Sequence, residues 1–184
     1  LLDGVLNVIV LGIGGSFEGP KLLVESLIGS SSDLNHLFIT GSDPEEFKEK
    51  TANLKKTETL FIVSSKSFKT DETLETLGDA IKWSGDMNKF IAITANKTEA
   101  SKYNIKHIIK FDKEIGGRYS IWSDISVPAF FDSTFEPDNF LKGGNQADLD
   151  LQNKEKYLEF VKTLSYSDIW LHNSENKTSR AVLS

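Results

Sequence analysis

The sequence contains no cysteine. No disulfide, thiolate zinc site or cysteine nucleophile can form, and a reducing compartment is compatible with this without being required by it. Long apolar runs are missing too. Nothing approaches the roughly 20 consecutive residues that span a bilayer, so no membrane association is expected. The first ten residues, Leu1 to Val10, lack the basic segment that opens a secretory signal. The chain starts with Leu rather than Met, and it stops at Arg180-Ala181-Val182-Leu183-Ser184 without a capping glycine or polar tail. Both ends read as cut from a longer protein. Basic residues are outnumbered, with 21 Lys and Arg against 27 Asp and Glu and a net charge of −6. Nucleic acid is therefore not expected as the main partner; a small anion needs only a local cluster of donors. Histidine occurs three times, as His36, His107 and His172, at spacings that do not make a metal site, and all three read as structural residues. No carboxylate pair stands out by spacing as acid and base. Asn96-Lys97-Thr98 and Asn176-Lys177-Thr178 match the glycosylation sequon but read as chance without a secretory signal.

What is present is enough for a single α/β domain. The chain has 184 residues, 39% hydrophobic and 26% charged, long enough to bury a real core. Val5–Leu11 is an apolar run ending at glycines, the pattern of a buried parallel strand. Further strands are expected at His36–Thr40, Thr59–Ser64, Lys89–Thr94 and His107–Phe111. Helices are expected at Glu18–Ile28 through Leu22, Leu23, Leu27 and Ile28; from Asp43-Pro44, as N-cap and first position, to about Leu54; at Asp71–Trp83; and near Glu99–Tyr103. Strict alternation of strand and helix predicts a doubly wound, five-stranded, mostly parallel sheet with helices on both faces. Ile115–Ser120 reads as a glycine-containing turn. The remainder, from Tyr119 on, reads as helical, broken near Asp132–Asp138 and Asn173–Lys177. Lys154–Leu171 is amphipathic through Tyr157, Leu158, Val161, Leu164 and Ile169. The expected division is residues 1–131 as the sheet domain and 132–184 as its helical continuation.

In such a sheet, ligands bind beyond the carboxyl ends of the strands, where three loops stand out. Gly12-Ile13-Gly14-Gly15-Ser16-Phe17-Glu18-Gly19-Pro20 follows the first strand and opens a helix. Phe17 stands where a dinucleotide fingerprint needs a third glycine or alanine, and no Gly-Lys-Ser/Thr ending makes it a nucleotide P-loop. It is either a ligand-facing turn or a tight turn that packs helix on strand. Ser64–Thr73 places the hydroxyls of Ser65, Ser67 and Thr70 before a helix start whose dipole favours an anion; the alternative is a plain helix cap with solvated lysines. Gly116-Gly117-Arg118-Tyr119-Ser120 carries the only arginine before Arg180. It could clamp an anion or a developing oxyanion, or form a surface salt bridge.

Taken together, GIGGSFEGP (Gly12–Pro20), SKSFKTDET (Ser65–Thr73) and GGRYSIWS (Gly116–Ser123) resemble the glucose-6-phosphate isomerase (phosphoglucose isomerase) family. The likeness continues more weakly through Gly143–Asp148 and Thr178–Leu183. It implies the sugar-isomerase fold with flavodoxin-like strand order 2-1-3-4-5. It also implies interconversion of glucose 6-phosphate and fructose 6-phosphate without metal or organic cofactor, in a cytoplasmic and, when intact, homodimeric enzyme. Residue by residue, it makes Ser65, Lys66, Ser67 and Thr70 the phosphate loop, Gly15 and Ser16 sugar contacts, and Gly117 and Arg118 the pair beside the reacting carbons. Arg118 would there stabilise a cis-enediolate. Ser67 and Lys69 stand where the family usually has threonine, and Asp124 where it has a small residue. The family's glutamate base, ring-opening histidine and late lysine would fall beyond Ser184, so the 184-residue chain alone is expected to be inactive. A non-catalytic sugar-phosphate-binding regulator of the same fold is the alternative. The broken glycine fingerprint speaks against a dinucleotide-binding domain.

Overall fold

The computed structural model describes residues 3–173, leaving aside the side chains of residues 30, 117–119, 156 and 167–173. The expected helix break at Asn173–Lys177, the second sequon and the Thr178–Leu183 motif thus fall wholly or mostly outside the described residues. The chain divides into two compact units, Leu1–Glu136 and Pro137–Ser184.

The first unit is built on five strands: β1 (Asn7–Leu11), β2 (Asn35–Ile39), β3 (Thr59–Ser64), β4 (Phe90–Thr94) and β5 (His107–Lys110). They pair in the order β2-β1-β3-β4-β5, and every pairing is parallel. The doubly wound architecture expected from the alternation of elements is therefore the observed one. All residues of the three central strands are buried, which explains why these strands read as unbroken apolar runs instead of alternating ones. Alternate residues serve opposite faces. Ile9, Leu11, Phe61, Val63, Phe90 and Ala92 join Phe47, Leu77, Ala80 and Ala100 in one core. These last four come from helices α2 (Pro44–Thr51), α3 (Asp71–Ser84) and α4 (Lys97–Ser101). Val8, Val10, Leu60, Ile62, Ile91 and Ile93 are equally buried on the other face. There Phe38, level with Val10 in the ladder, meets Phe17 of helix α1 (Gly15–Leu23) edge-on at 5.8 Å.

The helix ends follow from local chemistry. Asp43 caps α2 by accepting the Glu45 N–H at 2.9 Å, with Pro44 in the first turn. Gly85, at φ 70°, closes α3, its N–H donating to the Ile81 carbonyl at 3.0 Å. Asn96, first residue of a sequon, caps α4 by accepting the Glu99 N–H at 3.3 Å, so that helix starts at Lys97 rather than near Glu99. The first helix differs more from expectation. It starts at Gly15 and its last turn, Val24–Ile28, is wound as a π-helix. Pro20, Leu23, Val24 and Ile28 are buried, while Leu22 and Leu27 face solvent. The apolar stripe in the sequence is wider than the surface available to cover it. The segment read as a turn at Ile115–Ser120 is a 3-10 helix over Gly117–Trp122, followed by a short 3-10 turn at Asp124–Ser126 and helix α5 (Val127–Phe130). In the second unit, α6 (Pro137–Leu151) and α7 (Lys154–Asn173) follow one another. His172 lies within α7, not after it, and Leu158, Val161 and Leu164 of that helix are exposed. No helix of the described residues is long and apolar enough to cross a membrane.

One long-range polar cluster lies inside the first unit. Asp132 is buried, and its Oδ2 stands 3.5 Å from His36 Nε2 on β2. Burial pushes the His36 imidazole below its usual 6.5, against the pull of Asp132 and Asp33. Burial alone would raise the Asp132 carboxyl. Hydrogen bonds from the Ser32 hydroxyl, the Thr134 hydroxyl at 2.5 Å and the Thr134 amide at 3.0 Å outweigh it, with help from His36, and lower it to about 2. Both groups therefore have folded-state values below their unfolded ones. The unfolded chain takes up protons first on acidification, so each group's contribution is present above its unfolded value and is lost as pH falls. Urea midpoints should drop below pH 6.5 through His36, and drop again between 3.8 and about 2 through Asp132. In His36→Gln the first drop should vanish and the second remain.

Candidate functional site

The order β2-β1-β3-β4-β5 reverses the direction of winding between β1 and β3, and a crevice opens at the carboxyl ends of the strands there. It holds a cavity of about 660 Å³. The turn after β1 supplies Ile13, Gly15 and Ser16, and β3 with its loop supplies Ser64–Ser67 and Thr70. The turn after β4 adds Ala95 and Asn96, and the segment after β5 adds Lys113, Gly116 and Ser120.

Close packing of the first two loops explains the leading glycine. A Cβ on Gly12 would sit 2.9 Å from the Ser64 carbonyl oxygen and 3.1 Å from Ser16 Cβ, so any larger residue would force the turn off the end of β3. Gly14, at φ 57°, supplies the left-handed conformation at the mouth of α1. The third loop is fastened to the first by the Ser120 hydroxyl, which donates to the Gly15 carbonyl at 3.3 Å.

The loop between β3 and α3 is ordered by its own hydroxyls. Ser65 Oγ accepts the Phe68 N–H at 3.1 Å and lies 3.4 Å from Thr70 Oγ1; Ser67 Oγ accepts the Lys69 N–H at 3.2 Å. The Lys66 carbonyl is held from β4, by the Ala95 N–H at 3.2 Å and the Thr94 hydroxyl at 3.1 Å. Lys69 leans away to Glu99 Oε1, 3.7 Å off. Lys66 Nζ instead reaches across the cavity, to 3.2 Å from where a Cβ on Gly116 would stand. The glycine leaves that space to the ammonium group. Among the described residues Lys66 has no carboxylate within salt-bridge distance, and Lys113 has only its neighbour Glu114, at 3.9 Å.

Helix α3 points its amino end at this loop. Its first hydrogen-bonded amide is Leu74, to the Thr70 carbonyl at 3.0 Å, so the N–H groups of the first turn have no partner within the helix. Two buried hydroxyls at the same spot, Ser64 Oγ and Thr73 Oγ1, have no hydrogen-bond partner. Free donors, lysine and helix dipole make a site for an anion. No carboxylate and no imidazole lines the cavity among the described residues. Among the same residues, no group of three metal-binding side chains occurs.

Six of the sequence-predicted site residues, Gly15, Ser16, Ser65, Lys66, Ser67 and Thr70, meet at this one cavity. Gly117 and Arg118 lie in the 3-10 segment between the lining residues Gly116 and Ser120; their side chains are outside the described residues. Sequence reasoning missed Ser64, Thr73, Asn96 and Lys113. Thr73 was within reach, since it stands three residues after Thr70 in the first turn of α3 and so shares its end of the helix. Ser64 was not: a serine at the end of an apolar strand carries no signal of what it faces.

The family model described as "Phosphoglucose isomerase" matches residues 2–184. A curated relative, the glucose-6-phosphate isomerase of Stutzerimonas stutzeri, is 35% identical over 193 residues, covering 97% of this chain and 34% of the relative. The chain thus spans about a third of the length of the curated relatives it matches. Among solved structures, a hypothetical protein, TT0462, of Thermus thermophilus superposes with a TM-score of 0.71 at 26% identity, over 79% of this chain and 37% of that one. A glucose-6-phosphate isomerase of Chlamydia trachomatis superposes with a TM-score of 0.63 at 28% identity, over 71% of this chain and 27% of that one.

Proposed function

The chain belongs to the phosphoglucose isomerase family, and on that premise we propose that it is the phosphate- and sugar-binding part of an aldose–ketose isomerase. The reaction is interconversion of glucose 6-phosphate and fructose 6-phosphate through a cis-enediolate. The observation that carries this reading is the convergence of three separate loops on one cavity, with Lys66 and the start of α3 at one side and Gly116 at the other. In this reading Ser65, Lys66, Ser67 and Thr70 take the phosphate group, and Gly15 and Ser16 lie along the sugar. Gly117 and Arg118 sit beside C1 and C2. No metal or organic cofactor takes part. The whole enzyme is a cytoplasmic homodimer, and the unit Leu1–Glu136 holds the binding function of this chain.

The phosphate assignment is tested by titrating glucose 6-phosphate into Ser65→Ala and Thr70→Ala variants. Each lost charge-assisted hydrogen bond should weaken binding by about 1.5–3 kcal/mol. A double variant that binds as tightly as wild type would reduce the loop to a helix cap.

The 184-residue chain should bind but not turn over. Moving a proton between C1 and C2 needs a positioned base, and neither the family's carboxylate nor its imidazole is found in the lining of the cavity among the described residues. A coupled assay on the purified chain should show no isomerase activity. Turnover at the rate of an intact family member would place the base within these residues and refute this part of the reading.

Arg118 should act on the reaction more than on binding. The substrate is uncharged at C1 and C2 and the enediolate is not, so a guanidinium there gains strength only after deprotonation. In the full-length enzyme, Arg118→Ala should lower kcat by roughly a hundred- to a thousandfold, about 3–4 kcal/mol, with KM changed only a fewfold. Lys should restore little, because a point charge does not reproduce the planar fork. A lowered melting temperature with an unchanged kcat would instead make Arg118 a structural anchor.

A further inference from the structure

Phe68 is the one large apolar residue among those described that adopts a left-handed backbone, at φ 52°. The other non-glycine residue there, Asn104 at φ 58°, belongs to a type that tolerates this region; a bulky aromatic does not. Strain of this kind persists only where surrounding structure enforces it. The enforcement is visible. The Phe68 side chain is 1% exposed and belongs to the core beneath α2, α3 and α4. Its ring packs edge-on against Tyr103, with centroids 5.7 Å apart.

We infer that Phe68 is a positioning residue for the anion loop: its buried ring anchors the left-handed kink that presents Ser65, Lys66, Ser67 and Thr70 to the cavity. Phe68 is not among the residues that line the cavity, whereas the three before it and Thr70 after it are. Its amide donates to Ser65 Oγ at 3.1 Å, and the reversal of the chain at this point brings Thr70 Oγ1 to 3.4 Å from the same oxygen. The loop is thus pinned twice, at Lys66 through the end of β4 and at Phe68 through the core. Without the second pin, a residue at position 68 relaxes to negative φ, and the hydroxyls of Ser65 and Thr70 separate. This role rests on reading the loop as an anion site.

The test uses the 184-residue chain titrated with inorganic phosphate, for wild type, Phe68→Leu, Phe68→Ala and Tyr103→Ala. Each urea midpoint is measured alongside, and affinity is taken from the shape of the isotherm, so that only folded molecules report. Phe68→Ala should weaken phosphate binding by roughly tenfold or more, because the anchor is gone and the left-handed kink relaxes. Phe68→Leu, which keeps an apolar anchor, should recover most of the affinity. Tyr103→Ala, which removes the ring that Phe68 leans on and no residue of the loop, should also weaken binding. If Phe68→Ala does not fold, the Leu and Tyr103 variants decide the matter. Variants that lose stability but bind phosphate as wild type does would make Phe68 a core residue and overturn the proposal. A wild-type chain that binds no phosphate would overturn the anion-site reading itself and this role with it. That outcome is distinguishable because it appears before any substitution is made.

Discussion

Everything at the site hangs on the parallel pairing of β1 with β3. The register sets Leu11 beside Val63, which leaves Gly12 and Ser64 as the next residues on adjacent strands. Two chains leaving a sheet side by side must diverge at once or collide. Here they stay so close that a Cβ on Gly12 would press against the Ser64 carbonyl oxygen. One loop turns into α1 and the other into α3, on opposite faces of the sheet, and the space opened between them is the cavity. The glycine is therefore a requirement of sheet geometry before it is a feature of ligand binding, and a ligand inherits the gap.

The electrostatics of that gap run against those of the whole chain. Net charge is −6, yet among described residues the cavity wall carries lysines and no carboxylate. Lys69 and Lys66, three residues apart in one loop, have separate fates: the first is tied to Glu99 on α4 and the second reaches over Gly116. The exposed Lys69 pair contributes little by itself, but it keeps one cation outside while the other stays in. With the free amides of α3 and the unpartnered hydroxyls of Ser64 and Thr73, the site holds more donors than the protein satisfies. A buried unsatisfied donor is costly, and a multiply charged oxyanion is the ligand class that would relieve several at once.

Local strain and long-range packing meet at the same loop. Phe68 commits its ring to a core assembled from residues as distant in sequence as Ile9 and Ile105, while Ser67 before it and Thr70 after it line the cavity. A mobile loop would have to be ordered when the anion arrives, at a cost in entropy. A loop ordered by the core in advance meets that cost during folding.

Much of this was legible in the sequence. The all-buried central strands, the Asp43-Pro44 helix start, the extent of α3 and the three loops at strand ends all follow from local signals. Apolar runs, caps and glycines act within a few residues of themselves, and the chain alone determines them. The resemblance of the three motifs to one family also required nothing beyond the sequence, since their identity and order are local facts. What only the tertiary structure decided are relations between distant residues. Leu22 and Leu27 look as apolar as Leu23 and Ile28, but helix α1 has one face to bury and the sheet chose it. Asp132 reads as part of a polar break, yet it is buried beside His36 because a segment returns over β2. The positive φ of Phe68 contradicts every local preference of phenylalanine and exists because the core holds its ring. Periodicity tells which residues will be covered; it does not tell by what. Contacts between residues far apart in the chain arise only when the sheet's order and register bring its strand ends together.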